Sequence, residues 1–176
     1  DGMGSLSGVV SASGTPLADV QITINEADMT AVSNANGEYQ FPYVLEGTYT
    51  VSAHKVGYED QTLPASIVED EDTILNITMV ESASVNVTGT VTGSDAPTVG
   101  LDEVQVTLSG VLEYTATGNA QGEFTVENVL SGNTYNYAIS RAGYQTATGS
   151  ITVGASSYDM GTIILNELTL PPSGII

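Results

Sequence analysis

The sequence predicts an all-β chain made of two tandem antiparallel β-sandwiches with about seven strands each. Three observations lead to this prediction. The 176-residue chain repeats itself once, at an offset of 84 to 86 residues. Apolar and polar residues alternate with period two in short segments, which is typical of strands with one buried face. Turn sequences rich in Gly, Asn and Pro separate these segments, and none of them has convincing helical periodicity.

The internal repeat rests on four pairs of matching segments that occur in the same order in both copies. They are VQITI (20–24) with VQVTL (104–108), NANGEYQF (34–41) with NAQGEFTV (119–126), VLEGTY (44–49) with VLSGNTY (129–135), and HKVGY (54–58) with SRAGY (140–144). The offset grows slowly along the chain, as expected if single residues were inserted in loops. Two copies of this size indicate a pair of domains rather than a solenoid of short repeats.

Individual strands are predicted where every second residue is apolar. The clearest runs are Val20, Ile22 and Ile24; Tyr49, Val51 and Ala53; and Tyr135, Tyr137 and Ile139. Turns are predicted at SGTP (13–16), NANG (34–37), EG (46–47) and VGY (56–58), since these residues favour tight turns. Strands this short, separated by turns this frequent, favour a sandwich over any α/β arrangement.

The repeat also sets the expected domain limits. We expect the first sandwich at residues 5–81, the second at 82–167, and a linker towards a following domain at 168–176. The join MVESASVNV contains neither Pro nor Gly, which predicts a fairly fixed angle between the two sandwiches. The first residues contain no signal peptide, so we interpret the chain as a mature segment or a piece of a larger protein.

Composition excludes several classes of function. The chain has two basic and 21 acidic residues, which give a net charge of −19, and it has no cysteine. Nucleic acids and anionic membranes require basic patches, so neither is expected as a partner. No apolar run approaches the roughly 18 residues of a membrane span, so no membrane insertion is expected. Without cysteine, disulfides and thiolate ligands are excluded.

The two basic residues, Lys55 and Arg141, occupy the same place in the two copies. Each comes at the end of a strand, in phase with its core residues, and each is followed closely by a Gly-Tyr pair. A long side chain at such a position lays its stem over the core and keeps its charge at the surface. A contact with the ring of Tyr58 or Tyr144, or with a nearby carboxylate, would satisfy the charge locally. The alternative is a cation that anchors an acidic ligand.

The order of motifs in the first copy resembles the carboxypeptidase regulatory-like domain. The motifs are GVVSASGTPLADVQITI, NANGEYQF, VLEGTYTV and KVGY. The second copy follows the same order, with a longer first turn in TGTVTGSDAPTVGLDEVQVTL. The resemblance implies a transthyretin-like (prealbumin-like) Greek-key sandwich, related to starch-binding-like folds. It also implies an accessory module without catalytic residues, in a secreted or cell-surface protein.

Function is therefore expected to be structural. We expect a non-enzymatic module that spaces and orients neighbouring domains of the same polypeptide, outside the cell or on its surface. The single histidine, His54, is predicted on a solvent-exposed face, and no Ser lies in a nucleophile-elbow motif. The competing interpretation is a module that binds a glycan or a surface protein, with help from calcium as a further possibility.

Two sets of residues are candidates for such binding. Glu69, Asp70 and Asp72 lie in the acidic loop VEDEDT and offer the oxygen ligands that calcium prefers, although a solvated charged loop has the same sequence signature. No cofactor other than calcium is expected. Tyr43, Tyr114 and Tyr158 are predicted to be exposed enough to act as sugar platforms, although a Tyr in a sandwich is more often part of the core or its rim.

Overall fold

The computed structural model describes residues 2–169 and separates the chain into two compact units, Asp1–Ser82 and Ala83–Ile176. Each unit has its own hydrophobic core, and we call them the first and the second sandwich. Most of the predicted linker, residues 170–176, lies outside the described residues.

The first sandwich contains ten strands and one 3₁₀ turn, Asn25–Ala27. The strands are β1 (Met3–Ala12), β2 (Thr15–Pro16), β3 (Gln21–Ile24), β4 (Met29–Val32), β5 (Glu38–Leu45), β6 (Gly47–His54), β7 (Tyr58–Glu59), β8 (Gln61–Ile67), β9 (Asp72–Ile74) and β10 (Ile77–Glu81).

The second sandwich repeats this series with eight strands. They are β11 (Ser84–Gly93), β12 (Ala96–Gly100), β13 (Gln105–Ser109), β14 (Glu113–Thr117), β15 (Glu123–Leu130), β16 (Asn133–Ser140), β17 (Ala147–Val153) and β18 (Tyr158–Leu165). The series is shorter because β18 replaces both β9 and β10, and because the counterpart of β7 is a single bridge between Tyr144 and Glu167.

Each sandwich packs one sheet against another. In the first, β1 pairs with β5 on one side and with β9 and β10 on the other, and the opposing sheet has the order β4-β3-β6-β8. In the second, β11 lies between β15 and β18, opposite β14-β13-β16-β17. The predicted β-sandwich class is confirmed.

One ladder of each sandwich differs from the antiparallel expectation. The first and the last long strands run in the same direction, β1 beside β9 and β10, and β11 beside β18. Period-two alternation identifies strands but carries no information on their direction, so the sequence did not indicate this pairing. As a consequence, the chain enters each sandwich at one end and leaves it at the other.

The buried residues confirm the predicted alternation except at Tyr49 and Tyr137, which were predicted in phase with the core and are half-buried. Val20, Ile22 and Ile24 are fully buried in the first core, and Tyr135 and Ile139 are fully buried in the second. The intervening positions of these strands are exposed or half-buried. The two cores consist of separate sets of residues, as expected for a duplicated domain.

The NANGE and NAQGE motifs form the same turn twice. The side-chain oxygen of Asn34 accepts hydrogen bonds from the backbone N–H groups of Asn36 and Glu38, at 3.0 and 2.9 Å. Asn119 does the same in the second sandwich. Gly37 lies at φ +75° against the carbonyl of Val10, where a Cβ atom would fall 2.3 Å from that oxygen. Glycine is therefore required at this turn.

Candidate functional site

The two basic residues hold equivalent loops. The Lys55 ammonium group donates a hydrogen bond to the carbonyl of Ala18 at 3.0 Å, and the Arg141 Nε atom donates to the carbonyl of Asp102 at 2.5 Å. In both copies the next residue has a left-handed backbone, at φ +60° for Asp19. The duplicated charge thus ties the loop before β3 or β13 to the end of β6 or β16. Its partner is a backbone carbonyl rather than the expected ring or carboxylate.

A second hydrogen bond, from a tyrosine hydroxyl to a backbone carbonyl, also occurs in both sandwiches. The Tyr49 hydroxyl donates to the carbonyl of Leu45 at 2.9 Å, and the Tyr135 hydroxyl donates to the carbonyl of Leu130 at 2.8 Å. Burial raises the pKa of Tyr135 to about 12, because the apolar surroundings disfavour the phenolate. These tyrosines therefore fix the turns that join β5 to β6 and β15 to β16.

The structure does not bring the proposed calcium ligands together. The Glu69 side chain packs over Gly2, and the Asp72 carboxylate accepts a hydrogen bond from the Ser5 hydroxyl. Asp70 lies at φ +58° and donates its backbone N–H to Met3. Among residues 2–169, no three His, Asp or Glu side chains are placed to share a metal ion. Calcium binding by this loop stays a prediction.

The three tyrosines proposed as a sugar platform differ in exposure. Tyr43 is 73% exposed, because residues 42 and 43 form a bulge in the ladder between β1 and β5. Tyr114 is half-buried, with its ring against Tyr135 at a centroid distance of 5.8 Å. Tyr158 is half-buried against the second core. Tyr43 alone of the three presents an open surface, and it belongs to a different sandwich from the other two.

A groove of about 590 Å³ lies on the outer face of the first sandwich. It crosses β1, β5 and the interruption between β9 and β10, and β4 forms one wall. Its lining combines apolar side chains with amides and a carboxylate, namely Val9, Val32, Ile74, Asn34, Gln40, Asn76 and Glu38. Three of these apolar side chains face solvent, with exposures of 39% for Val9, 58% for Val32 and 64% for Ile74. A groove of this volume has the size of a small-ligand site.

The second sandwich lacks the apolar character of this groove. The pairing register aligns Val9, opposite Glu38, with Thr90, opposite Glu123. By the same alignment, Val32 corresponds to Thr117 and Ile74 corresponds to Asp159. Sequence reasoning missed the groove, although the signal was present. These three apolar residues lie at outward-facing positions of their strands, and polar residues replace them in the other copy.

The predicted exposure of His54 is confirmed. Its Nδ1 atom lies 2.5 Å from the Asp60 carboxylate, and both side chains are largely exposed. The equivalent position in the second sandwich is Ser140. This pair is therefore specific to the first sandwich and lies outside the duplicated architecture. Helical structure among the described residues is limited to a three-residue turn, and no helix there has the length or apolarity to span a membrane.

The first sandwich matches a known family. Residues 5–80 match the family described as the carboxypeptidase regulatory-like domain. The resemblance inferred from the motifs is confirmed for this sandwich, and the second one repeats its strand pairing. No curated protein matches the chain in sequence.

Solved structures with a similar fold include Gram-positive pilins. A streptococcal ancillary pilin aligns with 13% identity and a TM-score of 0.53, over 96% of this chain and 63% of the pilin. The minor pilin GBS52 of Streptococcus agalactiae aligns with 13% identity and a TM-score of 0.51, over 98% of this chain and 100% of the pilin. The TIE protein of Bacillus anthracis aligns with 13% identity and a TM-score of 0.47, over 96% of this chain. This chain spans only 34% of the TIE protein's length.

Proposed function

Because residues 5–80 match the carboxypeptidase regulatory-like domain and the second sandwich repeats the strand pairing of the first, we propose that the chain is a non-catalytic structural module. It spaces and orients neighbouring domains of a larger secreted or cell-surface protein. One observation carries this proposal: the first and last long strands of each sandwich are parallel neighbours.

Parallel pairing of these strands separates the two ends of each sandwich. β1 begins at Met3, and β10 ends at Glu81 beyond the far end of β1, because Ala12 pairs with Met79. A strand of ten residues spans roughly 33 Å at about 3.3 Å per residue. Each sandwich therefore extends the polypeptide by about 30 Å, whereas antiparallel first and last strands would return the chain to its starting point.

The duplicated ties support the same role. Lys55 and Arg141 anchor one loop in each sandwich, and Tyr49 and Tyr135 anchor one turn in each. These contacts hold backbone segments at both ends of the sandwich without disulfides. Fold similarity to pilins supports an extracellular or cell-surface location by analogy only, since a fold does not determine a function.

Distance measurements across each sandwich test the proposal. The chain has no cysteine, so spin labels can be attached at Met3→Cys and Val80→Cys, both of which replace exposed side chains. We expect one narrow distance distribution near ~30 Å plus the length of the labels. Ser84→Cys with Asn166→Cys gives the matched pair in the second sandwich. A short distance would mean that the chain ends lie together, and a broad distribution would mean that the module cannot set an orientation.

A second candidate function, glycan binding, is favoured by the groove on the first sandwich. Sugars present both hydroxyl groups and apolar C–H faces. The amides of Gln40 and Asn76 and the carboxylate of Glu38 offer hydrogen bonds, and Val9 and Ile74 offer apolar contact. The apolar residues are present in only one of two otherwise equivalent sandwiches, which is the expected pattern if one copy acquired a ligand.

Exchanging the groove residues for those of the other copy tests this candidate. The triple variant Val9→Thr, Val32→Thr and Ile74→Asp gives the first sandwich the lining of the second. If the groove binds sugar, the wild-type protein retains glycans on an array and the variant loses them. The control replaces Val99 and Val111, exposed valines of the second sandwich, with Thr. If the wild-type protein binds no glycan, or if the control variant loses binding equally, the hypothesis that the groove binds glycans is wrong.

A further inference from the structure

Strand β17 is an unprotected sheet edge. It covers seven residues, Ala147–Val153, and pairs only with β16. Its sequence, ATGSITV, contains no proline and no charged residue. Other edge strands among the described residues contain a proline or a charged residue, as do β5, β8, β12, β14, β15 and β18. The exception, β4, has four residues and contacts β5. Free strand edges of this length and composition are templates for further pairing.

Strand β8, the counterpart of β17 in the first sandwich, shows how the equivalent edge is protected there. The register places Pro64 opposite Thr50, and Ser150 at the equivalent place opposite Asn136. Strand β8 also contacts β1, β9 and β10, whereas β17 makes its main contacts with β16 alone. Proline on an edge strand prevents addition of another strand because it has no N–H to donate. The second sandwich lacks this protection.

Pro64 also shows which way the Ser150 N–H points. A proline can replace a strand residue without loss of the ladder only where its N–H would face away from the neighbouring strand. The N–H of Ser150 therefore points away from β16, and period-two alternation gives the same direction to the N–H groups of Thr148 and Thr152. These three residues are exposed, and no backbone partner within the described part of the chain occupies that edge.

Charge restricts what can occupy the edge. Two copies of a chain with a net charge of −19 repel each other at nearly every surface. An uncharged strip of seven residues is a place where two copies can approach without bringing carboxylates into contact. We propose that β17 is a self-association surface, at which two copies pair antiparallel through their β17 strands.

The sequence of β17 is compatible with a symmetric register centred on Ser150. In this register Ser150 of one copy lies opposite the partner's Ser150, and the two residues exchange a pair of backbone hydrogen bonds. Thr148 lies opposite the partner's Thr152, which places hydroxyl groups together on the outer face. Ala147 lies opposite the partner's Val153, and the apolar side chains of both strands then share the inner face. A shift of one residue would place hydroxyl groups against apolar side chains.

Sedimentation equilibrium over a wide concentration range measures the association. We expect the wild-type protein to dimerise, and Ser150→Pro to weaken dimerisation at least about tenfold, because it removes both hydrogen bonds of the central pair. The substitution copies Pro64 of the first sandwich, so it leaves the β16–β17 ladder intact. Thr148→Lys is the second variant. It lowers the net negative charge, so a loss of association cannot come from increased repulsion.

The matched control is Thr62→Lys, at the equivalent position of β8, where Pro64 already protects the edge. It should leave dimerisation unchanged. Hydrogen exchange provides an independent measurement: the amides of Thr148, Ser150 and Thr152 should become protected as protein concentration rises. A wild-type protein that stays monomeric throughout would overturn the proposal. A dimer that resists both β17 variants, or that Thr62→Lys disrupts equally, would overturn it as well.

Discussion

Tyr39 and Phe124 differ by a single hydroxyl group at equivalent positions. Tyr39 lies opposite Gly8, and Phe124 lies opposite Gly89. The Tyr39 hydroxyl donates to the carbonyl of Leu75 at 2.5 Å, in the interruption between β9 and β10. In the second sandwich β18 is one continuous strand, with a register shift between Asp159 and Thr162, and the equivalent residue is Phe. We therefore predict that exchanging these two residues destabilises each sandwich.

The structure sets the expected magnitude. Tyr39→Phe removes a buried hydrogen bond, which costs about 1 kcal/mol, and up to about 3 kcal/mol if the carbonyl is left without a partner. For a domain of this size, about 1 kcal/mol lowers the melting temperature by roughly 4–8 °C. Phe124→Tyr places a hydroxyl group in the second core, where burial without a partner costs a similar about 1–3 kcal/mol.

Urea unfolding followed by residue-resolved hydrogen exchange separates the two sandwiches. Tyr39→Phe should weaken protection only in the first, and Phe124→Tyr only in the second. If neither Tyr39→Phe nor Phe124→Tyr changes the free energy of unfolding beyond experimental error, the Tyr39 hydroxyl does not stabilise the segment between β9 and β10. That result would refute the prediction. The double variant should show the sum of both effects, since the residues belong to separate cores.

Three further predictions concern pH, the basic ties and calcium. Burial raises the pKa of both Tyr39 and Tyr135 to about 12, so their contribution to stability is complete below pH ~10 and lost between pH ~10 and ~12. An alkaline melting series should show this loss, and Tyr135→Phe should reduce it. Lys55→Met and Arg141→Met keep an apolar stem but remove the hydrogen bond to the loop carbonyl. Each should lower the free energy of unfolding, measured by chemical denaturation, by about 0.5–1.5 kcal/mol. If the acidic loop binds calcium as the sequence predicts, millimolar calcium should raise the melting temperature, and no change would remove the site. Asp70→Asn should then abolish the rise.

Much of the fold could be predicted because local signals determine it. The turn at Asn34 needs an Asn side chain to accept two backbone N–H groups and a Gly at the left-handed position, and both residues are visible in the motif. Its counterpart at Asn119 repeats them, so the motif identified the same turn twice. Buried alternation in β3 and β16 is likewise a property of neighbouring residues.

The candidate site could be predicted only in part, because it depends on which strands become neighbours. Val9 and Ile74 are 65 positions apart in the sequence and share a groove only because β1 pairs with β9. Tyr114 was expected to be exposed, but its ring packs against Tyr135, and its hydroxyl accepts the backbone N–H of Leu130. Neither contact follows from the residue's phase on its own strand.

Pulling the chain from both ends in a single-molecule force measurement tests the structural role most directly. Force applied through β1 and β10, or through β11 and β18, shears parallel ladders, so their hydrogen bonds share the force. We predict two separate unfolding events, each releasing roughly 25 nm for about 80 residues. Extension without distinct events would contradict a module that holds its neighbours apart.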